Sequence, residues 1–155
     1  MVDRTMPHSY SQLLTHIIFS TKNRQPLIDL DLESRLFPYM GGILRQLRGT
    51  LIVANGVEDH VHLLVELPGS LSAAEAVGKI KANSTLWIHE SFSERSEFWW
   101  QRGYAAFSVS HSNMQAVVAY IEGQKAHHRK ASFKEEFVLL LRRHGISPDE
   151  KYLWT

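Results

Sequence analysis

The chain has 155 residues with a formal net charge of +1, 44% hydrophobic and 21% charged residues, a composition that suits one globular domain rather than a repeat array or a disordered polymer. It contains no cysteine, which excludes a disulfide scaffold and any thiolate-held zinc or iron–sulfur centre. The near-neutral charge neither demands nor excludes nucleic acid, so any contact with DNA phosphates has to come from local patches. Residues 1–8 are expected to form a flexible tail. No run approaches the length of a signal peptide core or a membrane span, and a cytoplasmic protein is the default expectation.

In chain order, residues 10–21 read as a strand, rich in Leu, Ile and Phe and closed by a polar stretch with a proline. Residues 31–48 read as a helix. Its apolar positions Leu32, Leu36, Tyr39 or Met40, Ile43, Leu44 and Leu47 recur at steps of three and four, and Gly49 closes it. Residues 51–57 and 60–67 are apolar runs separated only by Glu58-Asp59, the pattern of a tight hairpin. A helix over 72–91 starts at a capping box formed by Ser72 and Glu75. Residues 98–110 read as aromatic extended structure broken at Gly103. Helices follow over about 113–125 and 132–144, the second stopped by Gly145. The closing Tyr152-Leu153-Trp154 is aromatic enough to pack somewhere. The order strand, helix, strand, strand, helix, strand is the ferredoxin-like βαββαβ pattern, an α+β fold with an antiparallel sheet, helices on one face and C-terminal helices appended.

Asp59-His60-Val61-His62 opens the third strand. Side chains alternate along a strand, so His60 and His62 share a face and can chelate one divalent cation. Nine histidines in the chain make this spacing weak evidence by itself. Its setting is more informative, because an apolar strand is a costly place for two unpaired imidazoles. Downstream, Tyr120 and Gln124 lie four residues apart, one turn along a helix face, which His127 roughly continues. A tyrosine hydroxyl is a poor nucleophile at neutral pH unless nearby positive charge helps it, and Gln124 offers a neutral oxygen ligand. Lys125, His128, Arg129 and Lys130 form the densest basic stretch and are candidates for phosphate contact, with Lys22 and Arg24 as weaker ones. The same stretch also suits a solvated helix end.

These pieces together resemble one family. His60-Val61-His62 within Glu58 to Val65, Tyr120-Ile121-Glu122-Gly123-Gln124, Thr15 to Arg24, Trp100 to Tyr104 and Lys151 to Trp154 resemble, in order, the HUH single-tyrosine transposases of small bacterial insertion sequences, the insertion sequence 200/605 type. The resemblance spans nearly the whole chain and implies a single HUH transposase domain over residues 1–155 and a homodimer. It implies metal ligation by His60, His62 and Gln124, with magnesium or manganese as the ion, and Tyr120 as the nucleophile. The implied substrate is single-stranded DNA with a hairpin at each element end, cut and rejoined through a 5′-phosphotyrosine. In such enzymes the tyrosine helix of one subunit can complete the histidine site of the other.

His16 is a candidate neighbour of the metal ligands, because the first and third strands of this fold are adjacent. A satisfied core histidine is the equal alternative. Weaker candidates are His111 and His128 for the site and Trp99, Trp100 and Tyr104 for base stacking. A metal-dependent nuclease that uses water, and a non-catalytic DNA-binding regulator, remain the competing functions.

Overall fold

A computed structural model describes residues 9–149. The tail at 1–8 and the aromatic C-terminal segment therefore lie outside the described residues. The elements are β1 (Leu13–Ser20), α1 (Leu30–Gln46), β2 (Thr50–Val57), β3 (His60–Leu67), α2 (Ala73–Ser91), β4 (Ala105–Val109), α3 (Met114–Glu122), α4 (Gln124–His127) and α5 (Phe133–Arg143). The four strands form one antiparallel sheet in the order β2-β3-β1-β4, the ferredoxin-like arrangement expected from the element order.

Both faces of the sheet are covered. Ile17 and Phe19 of β1, with Val61, Leu63, Val65 and Leu67 of β3, point to one face and pack with Leu32, Leu36, Leu44 of α1 and Val77, Ile80, Ile88 of α2. Each such fully buried aliphatic side chain contributes about 1.5–3 kcal/mol. On the opposite face, Leu14 and Leu64 pack against Ile121 of α3, while Ile18 and Phe107 pack against Phe133, Leu140 and Leu141 of α5. Every residue of β3 is buried, which explains its nearly unbroken apolar run: the strand is central and covered on both sides.

The helix ends follow local rules, with one difference from expectation. Ser72 and Ser132 accept hydrogen bonds from the N–H groups of Glu75 and Glu135 and start α2 and α5. Gly145, at φ 73°, ends α5 in a Schellman turn, with Ile146 N–H on Leu141 O at 2.9 Å. In α1 the left-handed position is taken by Arg48, at φ 65°, not by Gly49. Gly49 serves another purpose, since a Cβ there would lie 3.0 Å from the Glu66 carbonyl of β3. The extended segment at 98–110 contributes only β4 and a single bridge between Thr21 and Trp100. The helix expected over 113–125 is interrupted at Gly123, where α3 ends and the one-turn α4 begins.

The β2–β3 hairpin sets the start of the histidine strand, and Gly56 is its tightest point. A Cβ at Gly56 would overlap the His60 carbonyl and lie 3.0 Å from Val61 Cα, and neither backbone atom can turn away. Gly56→Ala is expected to destabilise the protein by about 2–3 kcal/mol, seen as a fall of several degrees in Tm by thermal denaturation. An unchanged Tm would mean that β2 and β3 do not approach this closely.

Candidate active site

His60 and His62 are fully buried on the sheet face covered by α3, α4 and α5. The turn before them is pinned, because Asp59 O accepts the Thr21 N–H at 2.9 Å. The Asp59 carboxylate lies 2.7 Å from His60 Nδ1, so this nitrogen donates to it and Nε2 faces the interior. On the neighbouring strand, His16 Nε2 lies 2.9 Å from His62 Nδ1, which orients the second ring in the same way. A carboxylate or ring partner of this kind fixes tautomer and direction at a metal-binding imidazole.

The charge on these rings differs. Burial, opposed by Glu136, holds His62 down to about 4, and burial together with His62 holds His16 down to about 3. Burial also pulls on His60, but its hydrogen bond to Asp59 and the negative charge of Glu136, 3.3 Å from Nε2, outweigh it and leave that ring raised. His16 and His62 bind fewer protons folded than unfolded from their folded values up to about pH 6.5, so their contribution to stability grows with pH across that window. His60 acts in the opposite sense. With two groups against one, the metal-free protein is expected to lose Tm on acidification from pH 6.5 towards 4. His16→Gln should flatten that slope, and a profile equally steep in the variant would contradict it.

Glu136 is the residue that sequence reasoning missed. It is 3% exposed, on the inner face of α5. Its Oε1 lies 3.0 Å from His62 Nε2, 2.9 Å from His128 Nε2 and 3.3 Å from His60 Nε2. Its Oε2 accepts the Tyr120 hydroxyl and the Gln124 side-chain N–H, the latter at 2.9 Å. Burial favours the neutral acid, but hydrogen bonds from His128 and His62 and the nearby His60 ring reverse that and hold the carboxyl ionised, far below the usual range. A signal was present in the sequence. Glu136 falls within the stripe Phe133, Phe137, Leu140, Leu141, where a carboxylate is out of place unless it has partners.

His60, His62, His128 and Glu136 each offer one ligand atom, all within 4.8 Å of one another, and this group can hold a metal ion. The donor set fits such an ion in a second respect. His60 Nε2, Gln124 Oε1 and His127 Nε2 are buried and have no hydrogen-bond partner, a costly state for polar atoms.

The tyrosine helix docks on the sheet of its own chain. The Tyr120 ring centroid lies 5.8 Å from that of His62 and 6.2 Å from that of His16. Burial and then Glu136 raise the phenol above its ordinary pKa, so the hydroxyl is held protonated. Gln124 is fully buried beside it. The break at Gly123 leaves the two side chains on the same side, meeting at Glu136.

The basic candidates divide by environment. Lys125 donates to Glu33 at 2.8 Å and Asn55 at 2.7 Å, tying α4 to α1 and β2. His128 joins the buried cluster. Lys22, Arg129 and Lys130 are exposed, and Arg24 is half-buried. A cleft of about 870 Å³ runs beside the cluster, lined by Arg24, Lys125 and Arg129 but also by Asp29, Asp31 and Glu58, with His128 and Phe133 on its wall. Trp100 is packed inside, with its Nε1–H on Ser84 Oγ at 3.0 Å and its ring 4.7 Å from Phe19. Trp99 is 51% exposed, Tyr104 42%, and His111 is exposed too.

Residues 9–124 match the family model described as transposase, IS200 like. The chain belongs to the IS200-like transposase family. It is 27% identical over 131 residues to the transposase for insertion sequence element IS200 of Salmonella typhimurium, covering 79% of this chain and 83% of that protein. The corresponding transposase of Salmonella typhi matches to the same extent. Among solved structures, a putative transposase from Deinococcus radiodurans R1 shares the fold with a TM-score of 0.63 at 21% identity, over 79% of this chain and 98% of that one. A REP-associated tyrosine transposase, solved bound to a REP hairpin, shares it with a TM-score of 0.60 at 15% identity, over 83% and 74%. The family match stops at Gln124, so His127, His128 and Glu136 lie beyond the matched segment. Among the described residues no helix is long and apolar enough to cross a membrane.

Proposed function

We propose that this IS200-like transposase cuts and rejoins single-stranded DNA with Tyr120 as its nucleophile, at a metal site that includes His60, His62 and Gln124. The observation that carries the reading is the meeting of Tyr120, Gln124, His60 and His62 around one buried carboxylate, Glu136. His60 Nε2 and Gln124 Oε1, buried without a hydrogen bond, support metal ligation. A divalent ion held there, magnesium or manganese, would supply Lewis acidity towards the phosphate and would offset the Glu136 charge that keeps the phenol protonated.

The Tyr120 oxygen attacks phosphorus as its proton departs. The new O–P bond forms while the bond from phosphorus to the 3′-oxygen breaks, and that oxygen takes up a proton. The products are a free 3′-hydroxyl and a 5′-phosphotyrosine. A 3′-hydroxyl from a second strand reverses the step at the same phosphorus, so one phosphodiester replaces another and no nucleotide cofactor is consumed. Asp59 and His16 hold the two metal-binding rings in place. Arg24, Arg129, Lys22 and Lys130 approach the backbone of the strand. The substrate we infer is single-stranded DNA folded into a hairpin near each element end, handled by a homodimer in the cytoplasm.

The test is to incubate the protein and a divalent ion with labelled hairpin-bearing single-stranded DNA and to resolve the products on a denaturing gel. A protein–DNA adduct is expected. Cutting without an adduct identifies a water nucleophile instead. Metal-independent binding without cutting identifies a regulator.

A further inference from the structure

His128 and Glu136 belong neither to the histidine strand nor to the tyrosine helix. His128 follows α4 directly, and Glu136 is carried in by α5, yet both reach the face of β3 where the histidine pair lies. We propose that His128 and Glu136 are themselves metal ligands, making a centre of His60, His62, His128 and Glu136 that prefers transition-metal dications to magnesium. This rests on the reading of His60 and His62 as a metal pair and deepens it.

Three imidazole Nε2 atoms gather around Glu136 Oε1, at 2.9, 3.0 and 3.3 Å, and the four ligand atoms all lie within 4.8 Å of one another. Two of the three rings are oriented from behind, His60 by Asp59 and His62 by His16. Such second partners are the usual companions of metal-ligating histidines. A set of three nitrogens and one carboxylate oxygen suits manganese, cobalt or zinc. Magnesium favours an octahedron of oxygens and keeps much of its water. The charge balance also fits, because the Glu136 and Asp59 carboxylates together offset a dication.

The site is closed from the α5 side. Phe133 stacks on His60 with ring centroids 4.1 Å apart and is 8% exposed. The apolar contacts of α5 with Ile18 and Phe107 hold Glu136 in register with the histidines. A metal bound by both α5 and β3 therefore fastens this helix to the sheet.

The test uses the full chain, stripped of metal, with manganese, zinc and magnesium ions titrated separately by calorimetry. Tight manganese and zinc binding is expected, with magnesium unable to compete. Loss of a partner outside the ligand shell already weakens metal sites about 10- to 100-fold, so Glu136→Gln and His128→Asn should each weaken binding by at least that factor. Cobalt(II) added to the unmutated protein should give the intense visible bands of a site with four or five ligands, which needs no variant to fold.

Unweakened binding in both variants, with binding lost in His60→Gln, would overturn the role of His128 and Glu136 while leaving the histidine pair in place. Tighter binding in Glu136→Gln would also overturn it, since Glu136 would then be an occupant that the metal displaces. No binding by the unmutated protein would overturn both this assignment and the metal reading beneath it.

Discussion

Tyr120→Phe is expected to abolish the covalent adduct with DNA and to lower strand transfer by roughly 10⁴- to 10⁶-fold, the scale on which enzymes lose rate when a covalent nucleophile is removed. Phenylalanine keeps the ring that packs beside His16 and His62 and deletes only the hydroxyl that donates to Glu136. Hydrogen bonds to charged groups are worth about 1.5–3 kcal/mol, but Glu136 keeps its imidazole and amide donors. The variant should therefore fold, with a Tm lowered by a few degrees, and it should bind metal like the parent protein. Adduct yield on a denaturing gel, set beside a melting curve, separates lost chemistry from lost structure. Cutting that survives at the parental rate would remove Tyr120 from the reaction.

His60→Gln and His62→Gln are expected to show a different pattern: loss of metal binding together with a fall in strand transfer of about 10³-fold, equivalent to ~4 kcal/mol of transition-state stabilisation. Both rings are fully buried, so glutamine is chosen to retain volume and a hydrogen-bonding group. A chelator added to the parent protein should reproduce the loss, and added manganese should restore the parent but not the variants. Together with Tyr120→Phe this makes a dissociation: one substitution removes bond-making and keeps the metal, and the others remove the metal. Full activity in His62→Gln under chelator would rule out a metal role for the pair.

The elements that carry the site were readable because they obey short-range rules. Glu58-Asp59 between two apolar runs marked the hairpin, and β3 begins at His60 as that pattern requires. Ser72 and Ser132 marked the starts of α2 and α5 through their hydroxyl caps. Arg48 was not readable as the left-handed residue ending α1. Gly49 is the better local candidate, but the nearness of the Glu66 carbonyl reserves that glycine for close approach. Lys125 shows the same kind of difference. It reads as a phosphate contact in a basic run, and the fold gives it Glu33 and Asn55 from remote elements.

By itself the sequence determined that His60 and His62 share a face, that Tyr120 and Gln124 lie a turn apart, and that strands and helices follow one another in the βαββαβ order. Period-two and period-3.6 alternation and capping chemistry act over a few residues and need no partner. Only the tertiary structure decided that these two pairs meet, and that they meet at Glu136 with His128 beside it. That meeting depends on where α5 lands, which is set by Phe133, Leu140 and Leu141 packing onto Ile18 and Phe107. Burial on that face then made a glutamate set in an apolar stripe the best-connected carboxylate of the site, because a buried carboxylate is stable there only with many partners.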